Sequence, residues 1–408
     1  MNMLKISGIS YNTRSSYSLI FIFLSLATFS QIIEKIIGLN IYPMAVSLLI
    51  LAILLALKGL NLRVNIGLLI AFLLISIHFV VSYFFNSCNL GVKQVLSLLM
   101  LLSVFIVYNN RVIFNTLSEP ILHYMIVGFT VFFLLLSIVG YSVIDIFAHE
   151  TRSKVGLYSE YSHLAIFSLP STLYLFFLGN RVYALTCLSI IFWFAFSSTA
   201  IVFLFIATNL LLYIRYGFLS LALTFPIVTF LAALLMVTFG MHDTIARATG
   251  IINTGSDIQD SALSSIVWLN GWSMLYEYLV NTNGLGVGIN QMGCGVGSQY
   301  GIYTKDITQY LGAPLNASDG SFLFSKIVSE FGIFGFGIVI YILLKVRQFL
   351  SKITFKELVQ DKEISFGFVC CVSILVLLFV RGMGYFNFPF IMCLCWVFFS
   401  SNLKDNRV

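Results

Sequence analysis

Apolar runs of membrane-crossing length follow one another along most of the chain, at 18–37, 41–57, 66–85, 94–109, 121–147, 163–179, 182–197, 200–214, 218–239, 322–345, 364–383 and 388–402. A helix needs roughly 20 apolar residues to cross the hydrocarbon core of a bilayer, with a range of about 17–25. The pattern therefore predicts an all-α polytopic membrane protein, a single membrane domain over 1–408 with about twelve transmembrane helices. Runs near fifteen residues, such as those at 182–197 and 200–214, cross only when neighbouring helices shield them. Two polar intervals interrupt the series, a short one at 148–162 and a long one at 240–321.

The long interval contains a helical pattern of its own. From Leu263 to Val280, Trp268, Trp272, Leu275 and Leu279 share one face, while Asn270, Ser273, Glu277 and Asn281 share the opposite one. Such an amphipathic segment is expected to lie in the membrane interface. Were it to cross, everything after it would be inverted and the basic 345–362 loop would face outward, against the charge rule. Next comes Asn283-Gly284-Leu285-Gly286-Val287-Gly288. No strand precedes it and no Gly-Lys-Ser/Thr follows, so it is neither a dinucleotide fingerprint nor a P-loop. Its glycines predict a tight turn or a close approach of the backbone to something else.

Composition strengthens the membrane reading. The chain is 59% hydrophobic and 9% charged, whereas soluble domains carry about 25% charged residues. Of the 22 Lys and Arg, most fall on one side of the predicted topology, including Lys5, Arg14, Lys58, Arg63, Arg111, Arg181, Arg215, Lys345, Arg347, Lys352, Lys356, Lys362, Lys404 and Arg407. The positive-inside rule then puts both termini in the cytoplasm and the 148–162 and 240–321 loops outside. The net charge of +6 is accounted for by this anchoring, and no nucleic-acid patch is present. The first apolar run is long enough to span and has no small-residue cleavage site, so no cleavable signal is expected. Most cysteines fall inside predicted helices, as small apolar residues. Cys88 and Cys294 fall outside them, on one side, and proximity would decide whether they pair.

Candidate chemistry gathers on the outer side. The interval 145–163 holds Asp145, His149, Glu150, Arg152, Lys154, Tyr158, Glu160, Tyr161 and His163. This density of ionisable groups sits at the membrane boundary, where the phosphates of a lipid-linked anion would lie. Arg152 suits a two-point phosphate contact and Lys154 a point charge. His78 and His123 lie within or near spans with no ionisable neighbour in sequence, which favours hydrogen bonding to an adjacent helix. For Arg381, at the outer end of the eleventh run, two readings are open: a buried pair with Glu330, or a further phosphate contact. Trp268, Tyr276 and Tyr278 suit sugar stacking or, better, interface anchoring.

Several of these features occur together in one known family. Arg152, Gly156 and Glu160 form Arg-x-x-x-Gly-x-x-x-Glu. Trp268 and Trp272 precede Asn-Gly-Leu-Gly-Val-Gly, then Phe322-Leu323 and Ser329-Glu330-Phe331-Gly332-Ile333-Phe334-Gly335 follow, and Arg381-Gly-Met-Gly-Tyr-Phe comes near the end. In order and spacing the chain resembles the bacterial O-antigen polymerases of the Wzy type, within the O-antigen polymerase and ligase superfamily. The resemblance implies a glycosyltransferase of the bacterial inner membrane, working at its periplasmic face, that moves a growing glycan from one undecaprenyl-pyrophosphate-linked oligosaccharide to another. It implies no cofactor and no metal, with membrane lipids and a chain-length regulator protein as partners. In such a reaction Arg152, Arg247 and Arg381, with Lys154, would hold the departing pyrophosphate. Glu160 or Asp319 would act as base, with His163 as a weaker candidate. Tyr158, Trp268, Gly286, Gly288 and Asn290 would contribute to substrate binding. The ligase branch tends to carry a histidine near the place of Asp319, which favours polymerase over the alternatives, an O-antigen ligase or related lipid-carrier glycan transferase. A lipid-linked oligosaccharide flippase is the non-enzyme alternative, and it would need charge along the spans.

Overall fold

The computed structural model describes residues 66–85, 91–108, 117–138, 161–194, 197–217, 263–293, 301–311, 317–382, 384–385 and 387–400, with Ile50, Ala52 and Ile53. Among them there are helices and turns and no strand. The expected spans at 18–37 and 218–239, nearly all of 41–57, the 148–162 loop up to Glu160, and Cys88 and Cys294 lie outside the described residues.

The first six helices are α1 (Ile66–Phe85), α2 (Gly91–Tyr108), α3 (Pro120–Ile138), α4 (Tyr161–Phe177), α5 (Arg181–Phe194) and α6 (Ser198–Tyr216). The second half supplies α7 (Leu263–Asn281), α8 (Thr304–Leu311), α9 (Leu323–Phe331), α10 (Ile333–Leu350), α11 (Phe355–Gln360), α12 (Lys362–Phe379) and α13 (Phe388–Ser400). Three of these are long and apolar enough to cross a membrane: α6, α10 and α12. Shorter apolar stretches occur in α1, α2, α3 and α5.

The bundle is built around α12. It packs against α4, α6, α9, α11 and α13, and 78% of its span is buried, as expected of a helix that is apolar on every side. Gly367 makes the closest approach: a Cβ there would meet the Phe349 ring at 2.5 Å and overlap the Trp396 indole. Phe366 meets Trp396 edge-on, with centroids 5.0 Å apart. The ring contacts Tyr174–Phe366 and Phe177–Phe368 join the end of α4 to the start of α12.

Basic groups mark the end of the bundle where α12 begins. Lys362 pairs with Glu119 at 3.0 Å, Arg215 lies over Tyr216 and Phe355, and Arg181 lies over Phe176. Thr354 and Glu357 form a reciprocal capping box for α11, and Asp361 caps α12. At the opposite end, where α12 finishes, the segments described below come together.

The two histidines satisfy neighbouring elements, as their sequence settings suggested. His78 Nε2–H donates to the Leu285 carbonyl at 2.9 Å. His123 contacts Ser171 Oγ at 2.9 Å and the Leu117 carbonyl at 2.8 Å. The described cysteines Cys187, Cys370, Cys371 and Cys393 are buried and form no disulfide.

One expected span has other bounds. The apolar run at 322–345 is two helices, α9 and α10, separated at Gly332 (φ 59°). In a straight helix, twelve residues rise about 18 Å, yet Phe324 and Phe336 meet with ring centroids 5.7 Å apart. The chain doubles back because Gly332 adopts a conformation that side chains resist. Gly335 then lets α10 approach the Ile327 carbonyl, to which a Cβ would come within 2.6 Å. Hydropathy alone cannot register such a reversal.

Replacing Gly367 by Val overpacks the α12–α13–α10 junction and lowers stability by about 1–3 kcal/mol. Thermal melting of the detergent-solubilised protein measures this, and an unchanged midpoint would contradict the packing described.

Candidate functional site

The site is assembled on α9. Every residue of α9 except Phe324 is buried, including Lys326 and Glu330, one turn apart and therefore on one face. Lys326 Nζ lies 3.0 Å from Glu330 Oε1. The carboxylate also accepts the Asn290 amide at 2.7 Å and the Met292 amide at 3.2 Å. Lys326 donates further to the Ser318 carbonyl and lies over the Tyr385 ring, 5.2 Å from its centroid. Three segments far apart in sequence, 284–292, 317–322 and 381–385, thus meet on one nine-residue helix.

The glycine-rich stretch closes the break between α9 and α10. Val287 N–H donates to the Ser329 carbonyl at 3.0 Å and Gly288 N–H to the Glu330 carbonyl at 2.8 Å. Ile333 N–H donates to Gly284 at 2.8 Å. Main-chain groups freed where a helix is interrupted need partners, and this loop supplies them. At Gly286 a Cβ would lie 2.5 Å from the Glu330 carbonyl oxygen, and at Gly288 it would lie 2.5 Å from Ser82 Oγ. The close approach expected of these glycines is thus to the helix break and to α1. Gly286 and Gly288 pack protein against protein. Asn290, with φ 54°, presents its main-chain amide to Glu330.

Between Ala317 and α9 the chain makes a strained turn. Gly320 and Ser321 have positive φ, the latter 66°, a costly conformation for serine. It is held by Ser321 Oγ donating to the Val267 carbonyl at 2.7 Å and by Gly382 N–H donating to the Ser321 carbonyl at 2.8 Å. Asp319 is partly exposed, with Oδ1 3.3 Å from where a Cβ would stand on Gly384. Arg381, also partly exposed, adjoins the bond between Gly382 and Ser321. The turn therefore brings Asp319 and the Arg381 segment to the same end of the bundle. The Glu330 carboxylate, weighed from sequence as a partner for Arg381, is engaged by Lys326 and two main-chain amides. Burial, reinforced by the negative charge of Glu330, holds the Tyr385 phenol well above its ordinary value, so it stays protonated.

The helix α7 also departs from expectation. Its tryptophan face packs inward: Trp268 Nε1–H donates to the Phe379 carbonyl at 2.9 Å, and Trp272 lies 5.0 Å from Phe322. Its polar face is bonded to protein as well. Asn270 donates to Thr304 Oγ1 at 3.0 Å, Ser273 Oγ accepts from Ile302 N–H at 2.9 Å, and Glu277 accepts from Gly301 N–H at 3.1 Å. Trp268 is thus a packing residue that fixes α7 to the end of α12. Tyr278 receives the Gly293 amide at 3.1 Å, and Tyr276 is exposed.

His163 stands in the first turn of α4. Arg152, Lys154, Tyr158, Glu160 and Arg247 lie outside the described residues. Among the described residues no three His, Cys, Asp or Glu side chains are grouped to hold a metal ion. No family model, curated protein or solved structure matches the chain.

Sequence reasoning missed Lys326. The signal was available: a Lys-x-x-x-Glu pair inside an apolar run demands internal pairing.

Truncating Glu330 to Ala strands the Lys326 ammonium in a buried setting and costs about 3–5 kcal/mol. Introducing Ala at Gly286 forces the loop away from Glu330 and likewise lowers the melting temperature. Melting curves of both variants beside wild type check these outcomes.

Proposed function

We propose that the chain is a membrane-embedded glycosyltransferase of the O-antigen polymerase type, acting on undecaprenyl-pyrophosphate-linked oligosaccharide at the end of the bundle opposite the basic one. The observation that carries the reading is the convergence at that end: Asp319 and the Arg381 segment, chosen separately from sequence, lie beside one another over the buried Lys326–Glu330 pair. The gathering of Lys362, Arg215 and Arg181 at the other end supports placing that end in the cytoplasm, which leaves the site facing the periplasm.

In this reading the acceptor sugar hydroxyl attacks the anomeric carbon of the growing glycan. Its proton passes to a carboxylate, Asp319 or Glu160, the new glycosidic bond forms, and the bond from the anomeric carbon to the phosphate oxygen breaks. Undecaprenyl pyrophosphate leaves with the electron pair. Arg381, together with Arg152, Arg247 and Lys154, neutralises the departing charge. A low-dielectric boundary strengthens such contacts. Tyr158, Asn290 and His163 remain candidates for contacts to sugar. A chain-length regulator would act on the same face.

Deleting the gene in its own host is expected to collapse the lipopolysaccharide ladder to core plus one repeat unit. Wild type restores the ladder, whereas Arg381→Ala and Asp319→Asn, inserted at wild-type levels, do not. A single repeat that also disappears on deletion would point to ligation or export. A ladder that persists in both variants would remove these two residues from the mechanism.

A further inference from the structure

Among the described residues, Lys326 and Glu330 are the only buried members of the Lys, Arg, Asp and Glu group. Replacing a buried ion pair with apolar side chains is often neutral or stabilising, so fold stability alone gives little reason to keep one. What distinguishes this pair is where its ammonium reaches. Beyond Glu330, Lys326 donates to the carbonyl of Ser318, the residue before Asp319. It also lies over the ring of Tyr385, the residue after Gly384, against which Asp319 rests. One buried cation therefore joins the two segments that carry Asp319 and Arg381, from beneath, while both of those side chains remain partly exposed.

We propose that Lys326 is a positioning residue for glycan transfer. Its ammonium, fixed by Glu330, holds the Ser318 carbonyl against the Tyr385 ring and so sets the distance between the Asp319 carboxylate and the Arg381 segment. The inference rests on the transferase reading above. A rigid spacing of base and cation matters because a reacting group misplaced by about 1 Å lowers the rate by on the order of 100-fold.

The test uses the full-length protein in phosphatidylethanolamine and phosphatidylglycerol vesicles, with lipid-linked repeat unit purified from the deletion strain. The double variant Lys326→Met/Glu330→Gln leaves no charge unpaired. Met keeps the stem volume, and the Gln carbonyl accepts one of the two main-chain amides, since Asn290 and Met292 bond different oxygens of the carboxylate. Its melting curve is recorded beside wild type, while kcat falls roughly 10- to 100-fold and KM stays within about twofold. A parallel pair covers misfolding of the double variant: Tyr385→Leu, which removes the ring face, lowers kcat, and Tyr385→Phe, which keeps it, does not. Unchanged kcat in the double variant or in Tyr385→Leu, or a loss carried by KM, overturns the inference and leaves the transferase reading standing. Wild type that elongates nothing in these vesicles overturns both.

Discussion

A carboxylate removed from water must be surrounded by donors, and the requirement of Glu330 organises this end of the molecule. Its partners are Lys326 from its own helix and the amides of Asn290 and Met292 from a loop some forty residues away. An unpaired buried charge is prohibitive, so α9 and the 284–292 loop are stable only together. The loop can reach Glu330 because Gly286 and Gly288 have no side chains to collide with its carbonyl or with Ser82. The same contact supplies partners for the main-chain groups on either side of Gly332. Charge, glycine placement and helix interruption are thus one arrangement.

Its consequence is an asymmetric bundle. The helix α12 is a nearly featureless apolar axis, covered on all sides, and its two ends differ in chemistry. At its start, capping residues and paired basic groups stand at the surface. At its finish, Trp268 donates to the Phe379 carbonyl, and the Gly382 amide donates to the turn that carries Asp319. Among the described residues the buried ionic pair lies at the end where these segments meet.

The strained Ser321 belongs to the same logic. A serine at positive φ persists only when its surroundings over-determine it, and here α7 and the 381–385 segment both hold it. Polar turns in a membrane protein avoid exposing main-chain groups by docking onto neighbours, and α7 does this on both faces. Its polar side chains bond to the 301–304 segment, so an amphipathic pattern reports which side chains need partners without saying whether water or protein provides them.

Hydropathy by itself determined the helical class and the bounds of α1, α4, α6, α12 and α13 to within a few residues, because apolar length and helical rise are local quantities. Residue chemistry likewise singled out Asp319, Arg381 and the glycine stretch, since charge is scarce and glycine is conformationally distinct. Tertiary structure decided what those residues do. Whether Gly286 meets a ligand or a helix break, whether Trp268 faces lipid or the Phe379 carbonyl, and whether 322–345 continues or doubles back all depend on contacts between segments distant in sequence. The role of Lys326 was decided there too, because the meaning of a buried ammonium lies in the groups brought to it, and Ser318 and Tyr385 arrive only when the chain has folded.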